Sequence, residues 1–288
     1  MLADAFAAER LRFFKARGTV FWSLAFVPLV SIAIGLVQGL FMRHLLGKAA
    51  AEGNPAAMLG RAPVALLNQA VEAVSGSNFF IVQLFFLIAA SAILAGDYRW
   101  ETWRFLTPRN TRANLLLAKL ATFGLVTVTG LGLLAVGGIV SGLLSAVLTG
   151  GGVVWAAAEG NTNAQLAGIF CIAFLEMMAL GALATVIAVA TRAGLAALLV
   201  PVGLWVVQGF VVSQLQKGFD NPLEPPLRYL LGFPVLQADL LKAALSPSRM
   251  GFATAIDWPV ALAALLAWIA GLTALAVWLF QRQDLTRE

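Results

Sequence analysis

The stretch AGDYRWETWRFLTPRNTRANLLLAK, from Ala95 to Lys119, places acids, arginines and aromatic residues between two long apolar runs. Of the 288 residues, 60% are hydrophobic and 11% are charged, whereas a soluble domain usually has about 25% charged residues. Several apolar runs also exceed the ~18 residues that are typical of a membrane-spanning helix. The polar stretch is therefore predicted to be a loop between two spans of an all-α, multi-pass membrane protein.

Six spans can be placed along the chain, and residues 1–288 are predicted to form a single transmembrane domain. The predicted spans are Thr19–Phe41, Phe79–Ala95, Ala113–Leu148, Gln165–Ala190, Leu195–Gln214 and Trp258–Phe280. The third span is longer than the ~20 residues that a bilayer requires, so it should tilt or project beyond the membrane. It is also rich in glycine, which lets helices approach one another closely in lipid.

The distribution of basic residues predicts the orientation. With the N-terminus in the cytoplasm, the short segments on that side, including the loop 96–112, are richer in arginine and lysine than the long external loops 42–78 and 216–257. The positive-inside rule then places both termini in the cytoplasm, in an inner or plasma membrane. This topology accounts for the net charge of +5. No basic face or stacking platform indicates binding to nucleic acid.

The N-terminal residues 1–18 are predicted to form an amphipathic helix that lies along the membrane surface. Leu2, Phe6 and Phe13 share one helical face, and charged residues lie elsewhere on the helix. The alternative is that this segment is an ordinary basic flank of the first span.

The second external loop is broken by prolines into short apolar pieces. Leu227–Leu231 and Val235–Leu245 are too short to cross a bilayer. They are predicted to form short interfacial or re-entrant helices before the sixth span, because membranes tolerate such segments where protein buries them.

Within the loop 96–112, the segment Asp97–Thr107 is predicted to form a short helix with a charged stripe bordered by large aromatic side chains. Glu101 and Arg104 are spaced for an i,i+3 ion pair. Such a surface pair contributes only a few tenths of a kcal/mol, so stability does not explain the segment. Aromatic residues and arginine often carry the binding energy of interfaces, which favours docking into a groove of another protein. The alternative is an interfacial helix whose tryptophans anchor it at headgroup level. The predicted docking residues are Asp97, Tyr98, Trp100, Glu101, Trp103 and Arg104.

The same stretch resembles the first cytoplasmic loop of ABC-2-type transporter permeases. The positions that match the pattern of that family are Asp97, Thr102, Pro108, Arg112, Ala118 and Lys119. The chain departs from the pattern at Asp97, where a glutamate is usual, and at Glu101, where a glycine is usual. The order of N-terminal helix, six spans and broken last external loop is also similar to the family.

This resemblance implies the permease subunit of an ATP-driven exporter. In that family two permease halves pair, here expected as a homodimer, and each first cytoplasmic loop forms a coupling helix that docks into a separate P-loop ATPase subunit. ATP and Mg are expected on that partner, because the chain has no G-x-x-x-x-G-K-[S/T] motif and is not predicted to be an enzyme. A hydrophobic or amphiphilic cargo is expected, but the sequence does not identify it.

Glu176 is the candidate for a functional residue inside the membrane. It lies near the middle of the fourth span, where an acid costs at least ~2.5 kcal/mol, and such residues usually face a bundle interior or a water-filled path. A role in the pathway or in gating is one interpretation, and a buried acid bonded to a hydroxyl or a base of another helix is the other. The lone histidine, His44, has no Cys or His cluster around it, so no metal site is predicted.

Two other functional classes are alternatives to the exporter. A secondary transporter would carry ion-coupling acids in its spans and often an inverted repeat, whereas this chain has one such acid and no visible repeat. A non-transporting assembly or sensor subunit could use the same loop for docking, and stimulated ATP turnover would distinguish it from a transporter.

Overall fold

The computed structural model describes residues 2–52, 63–99, 102–103, 110–156, 162–217, 234–245 and 258–283. Over these ranges the chain is almost entirely helical. The exceptions include a two-residue parallel pairing between β1 (Val64–Ala65) and β2 (Val153–Val154). The prediction of an all-α membrane protein is confirmed.

Six helical segments in the described ranges are long and apolar enough to cross a membrane. In chain order the helices are α1 (Leu2–Lys15), α2 (Arg17–Val20), α3 (Phe26–Ala51), α4 (Leu66–Ser75), α5 (Phe80–Arg99), α6 (Arg112–Thr149), α7 (Thr162–Thr191), α8 (Gly194–Lys217), α9 (Pro234–Leu245) and α10 (Trp258–Arg282). Span 1 combines α2, a π-helical turn (Phe21–Ala25) and α3. Spans 2 to 6 are α5, α6, α7, α8 and α10.

Span 1 and the segment after it differ from the prediction. Helix α3 continues to Ala51 rather than ending near Phe41. Helix α4 lies within the segment 42–78, which was predicted only as an external loop. The apolar residues of α4 lie at helical spacing and pack against spans 3 and 4. The buried ones are Leu66, Leu67, Ala70, Val71 and Val74.

The short helix predicted before span 6 corresponds to α9, which begins at Pro234 and ends at Leu245. It packs against spans 4 and 6. The other predicted short segment, Leu227–Leu231, lies outside the described residues.

Span 4 is the most buried of the six spans, and span 6 is the least buried. Spans 1 and 5 expose large apolar side chains over much of their length, for example Phe41 and Phe210. Hydrophobic surface of this extent is expected against lipid chains. The structure is therefore a bundle organised around span 4, with spans 1, 5 and 6 at its periphery.

Glycines in spans 1 and 3 allow close contacts. A Cβ atom built on Gly35 would lie 1.7 Å from Oγ of Ser141, so spans 1 and 3 touch there. A Cβ atom on Gly138 would lie 2.5 Å from the carbonyl oxygen of Gln69, which is a backbone atom of α4. Gly132, in the same span, has nothing within 4 Å of the corresponding position.

We expect Gly138→Ala to destabilise the protein by about 1–3 kcal/mol, because the backbone of α4 must shift to admit the methyl group. Gly132→Ala is the matched control and should leave stability close to wild type. Thermal unfolding of the purified protein in one detergent measures both variants. Equal melting temperatures for the two variants would contradict the close contact between span 3 and α4.

Candidate functional site

A buried group of charged residues lies at the base of the loop between spans 2 and 3. We call it the loop-base cluster: Glu9, Arg12, Asp97 and Lys119. Nζ of Lys119, in span 3, lies 2.6 Å from Oδ2 of Asp97 and 3.2 Å from Oε2 of Glu9. The same amine donates a hydrogen bond of 2.7 Å to the carbonyl oxygen of Ile93. Because Lys119 is only 1% exposed, the two carboxylates rather than water must neutralise its charge.

Arg12 completes the loop-base cluster from its partly exposed side. Its Nη1 atom lies 3.0 Å from Oδ1 of Asp97 and 3.1 Å from Oε1 of Glu9. The cluster therefore contains two acids and two bases, and its formal charges cancel. Since Glu9 and Arg12 belong to α1, the ion pairs join α1 to the end of span 2 and to span 3.

The start of the loop is attached to the same cluster. The hydroxyl of Thr102 donates a hydrogen bond to Oδ1 of Asp97, and its backbone N–H donates to the Asp97 carbonyl at 3.1 Å. Trp103 is 2% exposed, and Nζ of Lys119 lies 5.2 Å from the centroid of its ring. A cation over an aromatic ring is attracted by the electron-rich face. Thr102 and Trp103 therefore hold the first part of the loop against spans 2 and 3.

Both ends of the loop also contact the end of span 6. The ring of Trp103 packs on Phe280 at a centroid distance of 4.6 Å. Arg112, at the start of span 3, donates hydrogen bonds to the carbonyls of Phe280 at 2.9 Å and Gln283 at 2.7 Å. The hydroxyl of Tyr98 donates to Oε1 of Gln283 at 3.0 Å. The end of span 6 thus lies against the loop, and the guanidinium of Arg112 satisfies carbonyls at the C-terminal end of α10.

The structure describes three of the six predicted docking residues, and all three contact other parts of the same chain. Asp97 and Trp103 are buried against other parts of the same chain, and Tyr98 is half-buried and bonded to the end of span 6. These three side chains hold the base of the loop against the bundle, and their role in docking stays a prediction. Four other predicted residues lie outside the described part of the chain: Trp100, Glu101, Arg104 and Pro108.

Sequence reasoning did not identify Glu9 and Arg12 as members of this site. It assigned α1 to the membrane surface, where charged residues face water. One sequence feature could have indicated their pairing: Glu9 and Arg12 are an acid and a base at i,i+3 spacing, beside the buried face of α1 that includes Phe13. Such a pair is common on exposed helices, so the spacing alone does not indicate burial.

A second group of polar and charged residues, which we call the span 4 cluster, consists of the buried Gln83, Glu176 and Lys242 and the half-buried Asp239. Oε2 of Glu176 lies 2.7 Å from Nζ of Lys242, and both residues are almost completely buried. The side-chain amide of Gln83 donates to Oε1 of Glu176 at 3.3 Å. Lys242 belongs to α9. Glu176 is therefore paired with a base from another helix, which sequence reasoning had left as one of two alternatives.

Asp239 adds a second carboxylate to the span 4 cluster, one turn before Lys242 on α9. Burial and the nearby charge of Glu176 raise the pKa of Asp239 to about 6, while the Lys242 ammonium acts in the opposite direction. Among the residues that the structure describes, the span 4 cluster has two carboxylates and one ammonium, whereas the loop-base cluster has two acids and two bases.

We expect Lys119→Met to destabilise the protein by about 3–5 kcal/mol, because it leaves the carboxylates of Asp97 and Glu9 buried without their ammonium partner. Thermal unfolding in detergent measures the loss, and Lys48→Met, at an exposed lysine, is the control. The triple variant Glu9→Gln, Asp97→Asn, Lys119→Met should recover part of the loss, since it removes the unpaired charges. A wild-type melting temperature for Lys119→Met would contradict the burial of the cluster.

Comparison with known proteins gives one family match. A family model described as "ABC-2 family transporter protein" matches residues 23–285, which include all six spans except the first residues of span 1. A comparison with curated proteins gives no match. Because the family model covers most of the chain, the protein belongs to the ABC-2 transporter family.

Proposed function

We propose that the chain is the permease subunit of an ATP-driven exporter, that it works as a homodimer, and that a separate P-loop ATPase subunit holds the ATP and Mg. Membership in the ABC-2 transporter family supports an ABC permease. The observation that supports coupling through the loop is the loop-base cluster. Its ion pairs join the base of the loop to α1, span 2 and span 3, and those of Lys119 are buried, whereas Arg12 is partly exposed.

The loop-base cluster can transmit a displacement because its ion pairs resist separation. Removing one partner of a buried ion pair typically costs about 3–5 kcal/mol, because the other charge is left buried and uncompensated. A movement of Asp97 therefore also moves Lys119. Because Lys119 belongs to span 3, span 3 moves with it. Arg112 and Trp103 extend the same connection to the end of span 6. An ATPase that shifts the loop would thus shift spans 2, 3 and 6 together.

The arrangement of the chain ends supports the proposed topology. Helix α1, the base of the loop and the end of span 6 meet at one end of the bundle. With six spans, this is the arrangement expected when both termini and the loop are cytoplasmic in an inner or plasma membrane. The external loops 42–78 and 216–257 then lie at the opposite end, and with them α4 and α9.

The rival classes are less well supported. A secondary transporter would not require a loop fixed by ion pairs to α1, span 2 and span 3, and family membership favours an ABC permease. A non-transporting assembly or sensor subunit would share the docking loop but would not couple ATP turnover to a cargo. We propose a hydrophobic or amphiphilic cargo, because the spans are predominantly apolar.

We expect Trp100→Ala and Arg104→Ala to reduce co-purification of the ATPase subunit, because the buried positions of Asp97 and Trp103 leave the rest of the predicted helix to make the contact. The permease should remain folded and monodisperse in detergent. Trp155→Ala is the control, since this exposed tryptophan follows span 3 at the opposite end of the bundle. Full retention of the ATPase by both loop variants would contradict docking through this segment.

We propose a gating role for the Glu176–Lys242 pair. It fixes α9 against span 4 inside the bundle, at a place where an acid and a base are costly to bury separately. Helix α9 can leave span 4 only if this pair separates or if another group neutralises Glu176. The pair therefore suits a latch that holds the part of the path opposite to the ATPase closed.

Glu176→Gln should change cargo-stimulated ATP turnover by roughly tenfold without releasing the ATPase, because it replaces an ion pair with a weaker hydrogen bond to Lys242. ATP turnover of the purified complex in nanodiscs and co-purification of the ATPase are the two measurements. The charge-reversed double variant Glu176→Lys, Lys242→Glu should restore part of the wild-type behaviour. Wild-type turnover of Glu176→Gln would leave the pair a purely structural role.

A further inference from the structure

Spans 1 and 2 enclose a cavity of about 390 Å³ together with α4 and span 3. Its volume lies in the range of about 300–1,000 Å³ that is usual for sites that bind small molecules. Neither the loop-base cluster nor the Glu176–Lys242 pair contributes a residue to its lining. The cavity is therefore a separate feature, which the proposed coupling and the proposed latch do not use.

The cavity is a cleft that begins where spans 1 and 2 meet. They meet where the π-helical turn of span 1 packs on span 2, and beside it the ring centroids of Phe26 and Phe85 lie 4.6 Å apart. Beyond these rings the cavity lies between the two spans. Helix α3 and helix α4 both pack on span 3, which forms the floor of the cleft at Leu134, Gly138 and Ser141. The cleft therefore separates span 1 from α4 and the start of span 2.

Helix geometry gives the length and the depth of the cleft. Its lining on span 1 runs from Phe26 to Gln38, which is about 18 Å at 1.5 Å per residue. The hydrocarbon core of a bilayer is about 30 Å thick, so one leaflet contributes about 15 Å. Gly138 lies about 28 Å along span 3 from Lys119, which places the cleft in the leaflet opposite to the loop. The cleft is thus about as long as the acyl chains of that leaflet.

The cleft is open to the surface that faces lipid. Val30 and Ile34 line it on span 1, and Phe79 and Ile81 line it on the other side. All four side chains are exposed. They are continuous with the apolar surface of span 1, which is expected against lipid chains. The cleft is therefore an extension of the lipid interface into the bundle.

The polarity of the lining changes along the cleft as it does across a leaflet. Phe26, Val27 and Phe85 form the end near the middle of the membrane. The side-chain amides of Gln38 and Gln69 lie at the other end. Amides donate hydrogen bonds to oxygen acceptors such as those of esters and phosphates, whereas an apolar cavity does not hold water stably. An amphiphile whose chain points toward the middle of the membrane matches both ends.

We infer that the cleft binds one acyl chain of a phospholipid from the leaflet opposite to the loop. The chain lies along Val30 and Ile34 and reaches Phe26, and the glycerol and phosphate groups lie near Gln38 and Gln69. Phospholipid chains are the apolar groups that surround the opening in a membrane. Because the amides face oxygens that all phospholipids share, the site selects the chain and not the charge of the headgroup. Binding requires neither ATP nor the ATPase.

Lipid retention by the purified full-length chain tests this site, with no ATPase present. The protein is extracted from phosphatidylcholine vesicles into dodecyl maltoside, and native mass spectrometry counts the phospholipid that stays bound. We expect the wild type to keep one phospholipid per chain that Val30→Phe loses, because the added ring fills the cleft. Val136→Phe is the matched control and should retain lipid like the wild type. Val136 is an exposed valine of span 3, two residues before Gly138, and does not line the cleft.

A photoactivatable phospholipid locates the chain in the wild type, and so decides the question if Val30→Phe does not fold. A diazirine at the end of its acyl chain should label Phe26 or Phe85 when the protein is in nanodiscs. Labelling should be equal for phosphatidylcholine and phosphatidylglycerol probes, because the site contacts groups that both lipids share. Val30→Phe should lose this labelling, and Val136→Phe should keep it.

Three results would overturn the inference. Equal lipid retention by the wild type and Val30→Phe, or no label on Phe26 and Phe85, would mean that no chain enters the cleft. Labelling by the phosphatidylglycerol probe alone would mean that the headgroup selects the ligand. Absence of bound lipid from the wild type, with conversion of a dimer to monomers by Val30→Phe, would assign the cleft to a second copy of the chain. Because these assays contain no ATPase, their failure would leave the proposed coupling untouched.

Discussion

The buried amine of Lys119 is the interaction on which the loop end of this protein depends. A lysine that is 1% exposed at the edge of a membrane bundle requires acids beside it, and here the acids come from two other elements. Asp97 fixes the end of span 2, and Glu9 fixes α1. The need to neutralise one ammonium group therefore determines where α1, span 2 and span 3 lie relative to one another. The same cluster also positions the start of the loop, because Thr102 bonds to Asp97 and the ring of Trp103 lies beside Lys119.

Much of this architecture could be predicted from the sequence, because hydrophobic length and positive charge are local properties. Six apolar runs and the polar stretch between the second and third gave the spans and the loop. The pairing of charges could not be predicted in the same way. Arg12 and Asp97 are 85 positions apart, and Glu9 and Lys119 are 110 apart, so no local pattern links them. The resemblance to ABC-2 permeases singled out Asp97 and Lys119 without indicating that they contact each other.

The packing of Trp103 and the existence of helix α4 were not predicted from the sequence, for related reasons. A helical wheel treats every face of a loop helix as accessible, so Trp103 was assigned to an external surface. In the structure its ring packs on Phe280, which belongs to span 6 and is far from Trp103 in sequence. Helix α4 is too short for a hydropathy criterion based on spanning a bilayer. Its burial depends on Gly138 and Gly142 in span 3, whose missing side chains make room for it.

The loop-base cluster and the span 4 cluster differ in charge balance, and this difference fits their proposed roles. At the loop end, two acids face two bases, and a neutral, fully paired cluster has no electrostatic reason to separate. Around span 4, Glu176 pairs with the ammonium of Lys242, and Asp239 lies on the same helix as Lys242; burial and the charge of Glu176 raise the pKa of Asp239 to about 6. Among the described residues, Asp239 provides a second carboxylate near the Glu176–Lys242 pair. The loop-base cluster therefore suits rigid transmission of movement from the loop, and the span 4 cluster suits opening of the path.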